Sequence, residues 1–131
     1  MKAQRFLLSV QQQLNTSPND QEKYEHIIRQ FFRRYFSPDQ SANISDLKVI
    51  ESIALESGLD SKVIHNAINA IGCESVKEQL RTNTQKALDL GGFGLPITTI
   101  HLPSGKQFVF GSDRMHIIGH LLGESNPPVL R

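Results

Sequence analysis

Along the first ninety positions apolar residues recur at intervals of three and four, the spacing of one helix face. The first stripe is Ala3, Phe6, Leu7, Val10 and Leu14, and predicts a helix over residues 3–14 with no start signal. Asn15-Thr16 reads as a loop. Ser17 then offers a cap, Pro18 suits the first helical position, and Asp20 suits the first turn. The helix that follows carries Tyr24, Ile27, Ile28, Phe31 and Tyr35, widened by Phe32 and Phe36, and Ser37-Pro38-Asp39 ends it. A third helix is capped by Ser45, buries Leu47, Ile50, Ile53 and Ala54, and stops at Gly58. A fourth is capped by Asp60, buries Val63, Ile64, Ala67, Ile68 and Ile71, and stops at Gly72. A fifth spans about Glu74 to Leu90, with Val76, Leu80, Ala87 and Leu88 inward and Gly91-Gly92 as its stop.

At Gly91 the pattern changes. Two β-type runs, Ile97–Leu102 and Lys106–Phe110, flank Pro103-Ser104-Gly105, which predicts a hairpin with a three-residue connection. Both runs read as largely buried. Ser112-Asp113 then starts a last helix that reaches about Leu122, with Ile117, Ile118, Leu121 and Leu122 inward and Gly123 as its stop. Residues Ser125 to Pro128 read as a loose tail. A two-stranded hairpin is marginal in water without further strands or packing. The pattern therefore asks for partner strands that these helical stretches do not supply.

Composition narrows the function classes. The 131 residues suffice for one domain with a core, and the 38% apolar share is concentrated in the stripes. Fourteen basic residues against thirteen acidic ones give a net charge of +1, which favours neither a nucleic-acid nor a membrane partner. The single Cys73 precludes an internal disulfide and fits a reducing compartment. No signal-peptide pattern opens the chain, so the glycosylation-type triplet Asn43-Ile44-Ser45 is expected to stay unused.

Four motifs invite a chemical reading. Phe31-Phe32-Arg33-Arg34-Tyr35-Phe36 mixes aromatic and basic residues as a nucleic-acid surface does. Its aromatics follow the apolar stripe and its arginines leave it, so a core face with a solvated rim is expected. His116 and His120 have the i, i+4 spacing of a metal chelate, but no further ligand stands near them, and no metal is expected. Cys73 stands at a helix start, where thiolates are favoured, yet it has no second cysteine and no paired base. The fourth motif joins Leu95-Pro96 to Ser112-Asp113. The bond before Pro96 is a cis candidate, and Leu95 is pushed extended by the proline, with backbone groups free to pair with a peptide-like ligand. Ser112 and Asp113, at a helix start, suit the carboxylate and ammonium of an amino acid. A structural proline beside an ordinary helix cap accounts for the same residues.

The runs Gly92-Phe93-Gly94-Leu95-Pro96-Ile97-Thr98, Phe110-Gly111-Ser112-Asp113-Arg114-Met115 and His120-Leu121-Leu122-Gly123 resemble the end of a kappa-class glutathione transferase. Ala3–Leu7 and Val76–Leu80 also resemble that family's helical insert, so the likeness covers nearly the whole chain. The resemblance implies an α/β, thioredoxin-like (DsbA-like) fold with an inserted helical domain. Residues 1–90 would be mostly that insert, ending in a long helix. Residues 91–131 would be the C-terminal hairpin and helix of the thioredoxin-like domain. The first strand–helix–strand unit would be missing, making the chain a C-terminal portion of a longer enzyme.

The resemblance also implies glutathione as substrate, conjugated to a small electrophile or used to reduce a peroxide. Leu95, before a cis Pro96, would pair by its backbone with the cysteinyl unit, and Ser112 and Asp113 would hold the γ-glutamyl end. The family's thiolate-activating serine follows the first strand, so no catalytic residue is assignable here and the chain is expected to be inactive alone. Homodimers are expected of the complete enzyme. The family is mitochondrial or peroxisomal. The ending Val129-Leu130-Arg131 is no peroxisomal signal, so a mitochondrial location is expected ahead of a peroxisomal or cytoplasmic one. Two alternatives remain, an enzyme similar to 2-hydroxychromene-2-carboxylate isomerase and a non-catalytic helical protein that binds glutathione or a partner chain.

Overall fold

The computed structural model describes residues 1–14, 17–37 and 43–124. The expected loop at Asn15-Thr16, the helix stop at Pro38-Asp39, the tail from Ser125 and the C-terminal ending lie outside the described residues. Six helices and one hairpin appear among them. The elements are α1 (Lys2–Gln13), α2 (Pro18–Phe36), α3 (Leu47–Glu56), α4 (Ser61–Ala70), α5 (Glu74–Asp89), β1 (Ile97–Leu102), β2 (Gly105–Phe110) and α6 (Met115–Leu121). The chain divides into two compact units, Met1–Thr84 and Gln85–Arg131, with the division inside α5. The expected boundary after residue 90 concerns domain origin, a different property from compactness.

In the first unit α1 packs chiefly on α4, and α2 on α3. Phe6, Val10, Ile27, Ile50, Ile53 and Ala67 are sealed from solvent, and Phe6 meets Phe31 with ring centroids 6.1 Å apart. The apolar stripes of α1, α3 and α4 thus point where their periodicity directed them, except that Leu47, in the first turn of α3, is exposed rather than buried. α2 departs from expectation in its last turn. Phe32, Tyr35 and Phe36 are 58%, 63% and 70% exposed, so the aromatic stripe does not continue into the core. Successive helical residues rotate by about 100°. Beyond Phe31 the position turned toward α3 is Arg34, whose guanidinium grips the Glu56 carboxylate at 2.9 and 3.2 Å. Phe36 instead stacks on Phe32 at 6.0 Å and meets Tyr35 edge-on at 4.9 Å, in solvent.

The helix ends follow local chemistry. Ser17 Oγ accepts the Asp20 N–H at 3.2 Å and donates to the Asp20 carboxylate at 2.6 Å, with Pro18 in the first helical turn. Ser17→Ala is expected to cost about 1 kcal/mol, the usual loss for a cap. Urea unfolding checks this, and an unchanged midpoint would mean that the half-buried Asp20 carries the cap alone. The cap of α3 is Asp46, one residue later than expected, because its carboxylate reaches the Lys48 N–H at 2.9 Å while Asn43 takes the Ser45 N–H. Asp60 caps α4 as expected. α3, α5 and α6 end in one motif: the N–H groups at Gly58, Gly91 and Gly123, and at the residue after each, fold back onto the last turn. Gly72 lies past the end of α4 but lacks that left-handed turn.

In α5 only Val76 is buried, while Ala87 and Leu88 are exposed, contrary to the inward stripe expected. The helix is mostly polar, and Glu74 bridges to Lys77 and Arg81 across its first two turns.

β1 and β2 pair antiparallel, from Ile97 opposite Phe110 to Leu102 opposite Gly105. Gly105 is the first residue of β2, so Pro103-Ser104 is a two-residue connection and not the three-residue one expected. Ile100 and Val109, on one face, are buried. The other face carries Phe108 and Phe110, each 47% exposed, so the strands are not largely buried: each has one buried side chain. Among the described residues the sheet has two strands and hence two unpaired edges.

Candidate functional site

The residues singled out in the second unit surround the open end of the hairpin. Gly91 turns left-handed to end α5, and the chain runs through Gly92, Phe93 and Gly94 to Leu95. The Leu95–Pro96 peptide is cis, as expected. Leu95 is 91% exposed. Phe93, also exposed, lays its ring against Phe110 at 4.9 Å. Gly94 lies close under the same ring: a Cβ there would stand 2.9 Å from Phe110 Cε2.

Past the last ladder pair, Ile97 and Phe110, one more backbone bond closes the hairpin base. The Gly111 N–H donates to the Pro96 carbonyl at 3.0 Å. Ser112 and Asp113 follow directly, both exposed. The structure thus brings the Leu95–Pro96 segment and the Ser112–Asp113 turn together through one hydrogen bond. The Asp113 carboxylate lies 3.3 Å from Arg114 Nε, a pair largely open to water.

One expectation is corrected at this point. Ser112-Asp113 does not start the last helix. α6 begins at Met115, with Arg114 in the cap position and no side-chain cap bond. Gly111 takes a left-handed turn at φ +101, so Ser112 and Asp113 form a bend before the helix. Their backbone N–H groups are therefore not those of a helical first turn. The expected buried stripe of α6 is also weaker than predicted: Gly119 is its buried residue, Ile117, Ile118 and Leu121 are half-buried, and Leu122 is exposed.

The other candidates gain little. His116 and His120 are exposed on α6, and no group of three metal-ligating side chains occurs among the described residues. Cys73 is exposed just before α5, its Sγ 3.9 Å from the Asn69 carbonyl. In the first unit a polar groove of about 210 Å³ is lined by Gln30, Arg33, Arg34, Ser37, Ile53 and Glu56. Ser52 and Arg34 hold the Glu56 carboxyl below its usual range. The groove is smaller than the sites that enclose organic ligands, and its carboxylate, Glu56, is already paired with Arg34. No described helix is long and apolar enough to cross a membrane.

Sequence reasoning singled out Leu95, Pro96, Ser112 and Asp113, which the structure places at the hairpin base, but missed the bond and turn at Gly111 and the Phe93–Phe110 contact. A signal for the first was present, since a glycine closing a β-type run before Ser-Asp marks a chain reversal. The second depends on Gly94 lying under Phe110, which no local pattern encodes.

Comparison with known proteins shows the family of the chain. The family profile of the DSBA-like thioredoxin domain matches residues 2–123. Over 124 residues, 95% of this chain, the sequence is 35% identical to the rat (Rattus norvegicus) protein "Glutathione S-transferase kappa 1", of which those residues make up 51%. It is 32% identical to the human (Homo sapiens) protein of the same name, again over 95% of this chain and 51% of that protein. The Caenorhabditis elegans protein of that name is 41% identical over 49 residues, 37% of this chain and 22% of its own length. The chain thus spans about half the length of the rat and human relatives it matches. A profile match over residues 2–123, on helices followed by a hairpin and a final helix, makes this chain a member of the DSBA-like thioredoxin family.

Proposed function

We propose that this chain carries the glutathione-recognition part of a kappa-class glutathione transferase. In this reading the exposed Leu95 offers its backbone to the cysteinyl unit in strand fashion, beside Pro96. Ser112 and Asp113 take the γ-glutamyl end, Asp113 by charge with the ammonium. The single observation that carries the reading is the Gly111–Pro96 hydrogen bond, which joins these two segments at the hairpin base. The likeness to three proteins named glutathione S-transferase kappa 1 supports the substrate.

The reaction proposed for the complete enzyme uses the glutathione thiolate as electron-pair donor. Attack on an electrophilic carbon forms a C–S bond as the leaving group departs with its electron pair. With a peroxide, two glutathione molecules lose two electrons to become the disulfide while the O–O bond breaks to alcohol and water. No residue of this chain is assigned to thiolate activation. Homodimerisation and a mitochondrial place of work complete the proposal, and no metal takes part in it.

Asp113→Asn is expected to weaken glutathione binding by about 1–3 kcal/mol, the range for a lost charge-assisted hydrogen bond. The variant should be titrated calorimetrically with S-methylglutathione, alone and mixed with the half of the rat relative that this chain does not match. Unchanged affinity would reduce Asp113 to a partner of Arg114.

A further inference from the structure

We propose that Gly111 is the positioning residue of this site, holding the Leu95–Pro96 edge and the Asp113 carboxylate in one fixed relation. The inference rests on the glutathione reading above and assigns the residue that makes two short segments act as one binding element.

Three observations converge on position 111. Its N–H donates to the Pro96 carbonyl at 3.0 Å, one step past the last ladder pair, which ties the segment carrying Leu95 to the end of β2. Its φ of +101 turns the chain so that Ser112 and Asp113 leave the strand direction at once. An L side chain rarely adopts that conformation. Finally, the space a Cβ would need is filled by the ligand-binding group itself: the Asp113 Oδ1 would lie 2.5 Å from it and Arg114 Cγ 3.7 Å. Asp113 is folded back over the bare Cα of Gly111, with its other oxygen 3.3 Å from Arg114 Nε.

These facts have a chemical consequence. A methyl group at 111 acts on the hydrogen-bonded edge through φ and on the carboxylate through contact. The Asp113 side chain is exposed and free to move away, so the added methyl is accommodated by displacing the negative charge offered to the ligand ammonium. A ligand that touches only the Leu95 edge feels the first effect. A ligand that spans both segments, as a γ-glutamyl peptide does, feels both. Gly111 thus sets selectivity for the γ-glutamyl end.

The test compares the 131-residue protein with Gly111→Ala and with a semisynthetic form carrying D-alanine at 111. D-Alanine accepts positive φ and points its methyl away from the L position. Nuclear magnetic resonance follows the amide signals of Leu95, Ser112 and Asp113 without ligand, and affinities for S-methylglutathione and for S-methylcysteinylglycine, which lacks the γ-glutamyl arm. In Gly111→Ala the three amides are expected to shift together while Thr99–Phe108 contacts persist. The preference for S-methylglutathione over the dipeptide should fall by about tenfold or more, the factor corresponding to a lost charge-assisted hydrogen bond between Asp113 and the ligand ammonium. D-Alanine should restore both.

Equal losses for the two ligands would overturn the proposal and leave Gly111 a structural residue. Unshifted Leu95 or Asp113 amides would overturn it too. If Gly111→Ala unfolds the hairpin, the D-alanine protein decides: wild-type signals and preference sustain the proposal, and their absence ends it. If the unaltered protein shows no preference between the ligands, the glutathione reading fails while the ligand-free shifts still decide whether Gly111 couples the two segments.

Discussion

Residues 1–131 alone are expected to conjugate glutathione to a generic electrophile at least ~10²–10³-fold more slowly than a complete kappa-class enzyme, the factor lost when one group that stabilises the reacting anion is removed. Two features of the structure lead there. Leu95 is 91% exposed, so a thiol held along its edge would sit in water, where nothing lowers its pKa or fixes its approach. In the proposed site Asp113 and Ser112 would hold the γ-glutamyl end of glutathione, away from its sulfur. Among the described residues, the side chains packed at the hairpin base are the aromatic rings of Phe93 and Phe110 beside Gly94. Initial rates with a chlorodinitrobenzene substrate, compared with the rat relative, check this. A rate within tenfold of that relative would refute it.

The largest stability effect is expected at Phe6→Ala, about 3–5 kcal/mol for truncating a fully buried aromatic residue. Phe6 has no exposed surface and meets Phe31 inside the cluster formed by Ile27, Ile50, Ile53 and Ala67. A folded unit of this size has only a few to about ten kcal/mol in reserve, so the variant should be close to unfolding. Phe36→Ala is the control. Phe36 is 70% exposed, and its removal should change stability by no more than about 0.5 kcal/mol. Urea midpoints at constant slope separate the two. Equal shifts would mean that the last turn of α2 is covered in solution.

The contrast between Phe6 and Phe36 also shows what the sequence encodes. Periodicity located the helices because each apolar stripe repeats over two or more turns, and capping chemistry at Ser17, Asp60, Gly58 and Gly91 marked their limits. Periodicity could not tell that α2 outruns its partner. That depends on where α3 ends and on Arg34 reaching Glu56 across 22 residues of chain. In the hairpin, two β-type runs around a Pro-Ser-Gly turn located both strands, while the choice of a two-residue connection came from Gly105 pairing with Leu102. Leu95, Pro96, Ser112 and Asp113 stood out in the sequence as a cis-proline candidate and a Ser-Asp pair, but a structural proline and a helix cap explain the same letters, and the resemblance tipped the reading toward glutathione. Asp113 also shows the limit of that cap reading, because the left-handed turn at Gly111 delays α6 to Met115. Gly111 carried a local signal for a chain reversal, but its tie to the Leu95 segment is a long-range backbone bond to Pro96 that no local pattern encodes.

The central claim is that the open end of this hairpin recognises glutathione. The most direct measurement is a two-dimensional amide titration of the labelled 131-residue protein with millimolar S-methylglutathione, which binds without redox chemistry. The expected result is weak, saturable binding, with the perturbed amides at Leu95 and at Gly111, Ser112 and Asp113, and with those perturbations abolished in Asp113→Asn. Absence of saturable shifts at these residues, or shifts confined to the α2 groove around Arg33 and Ser37, would contradict it.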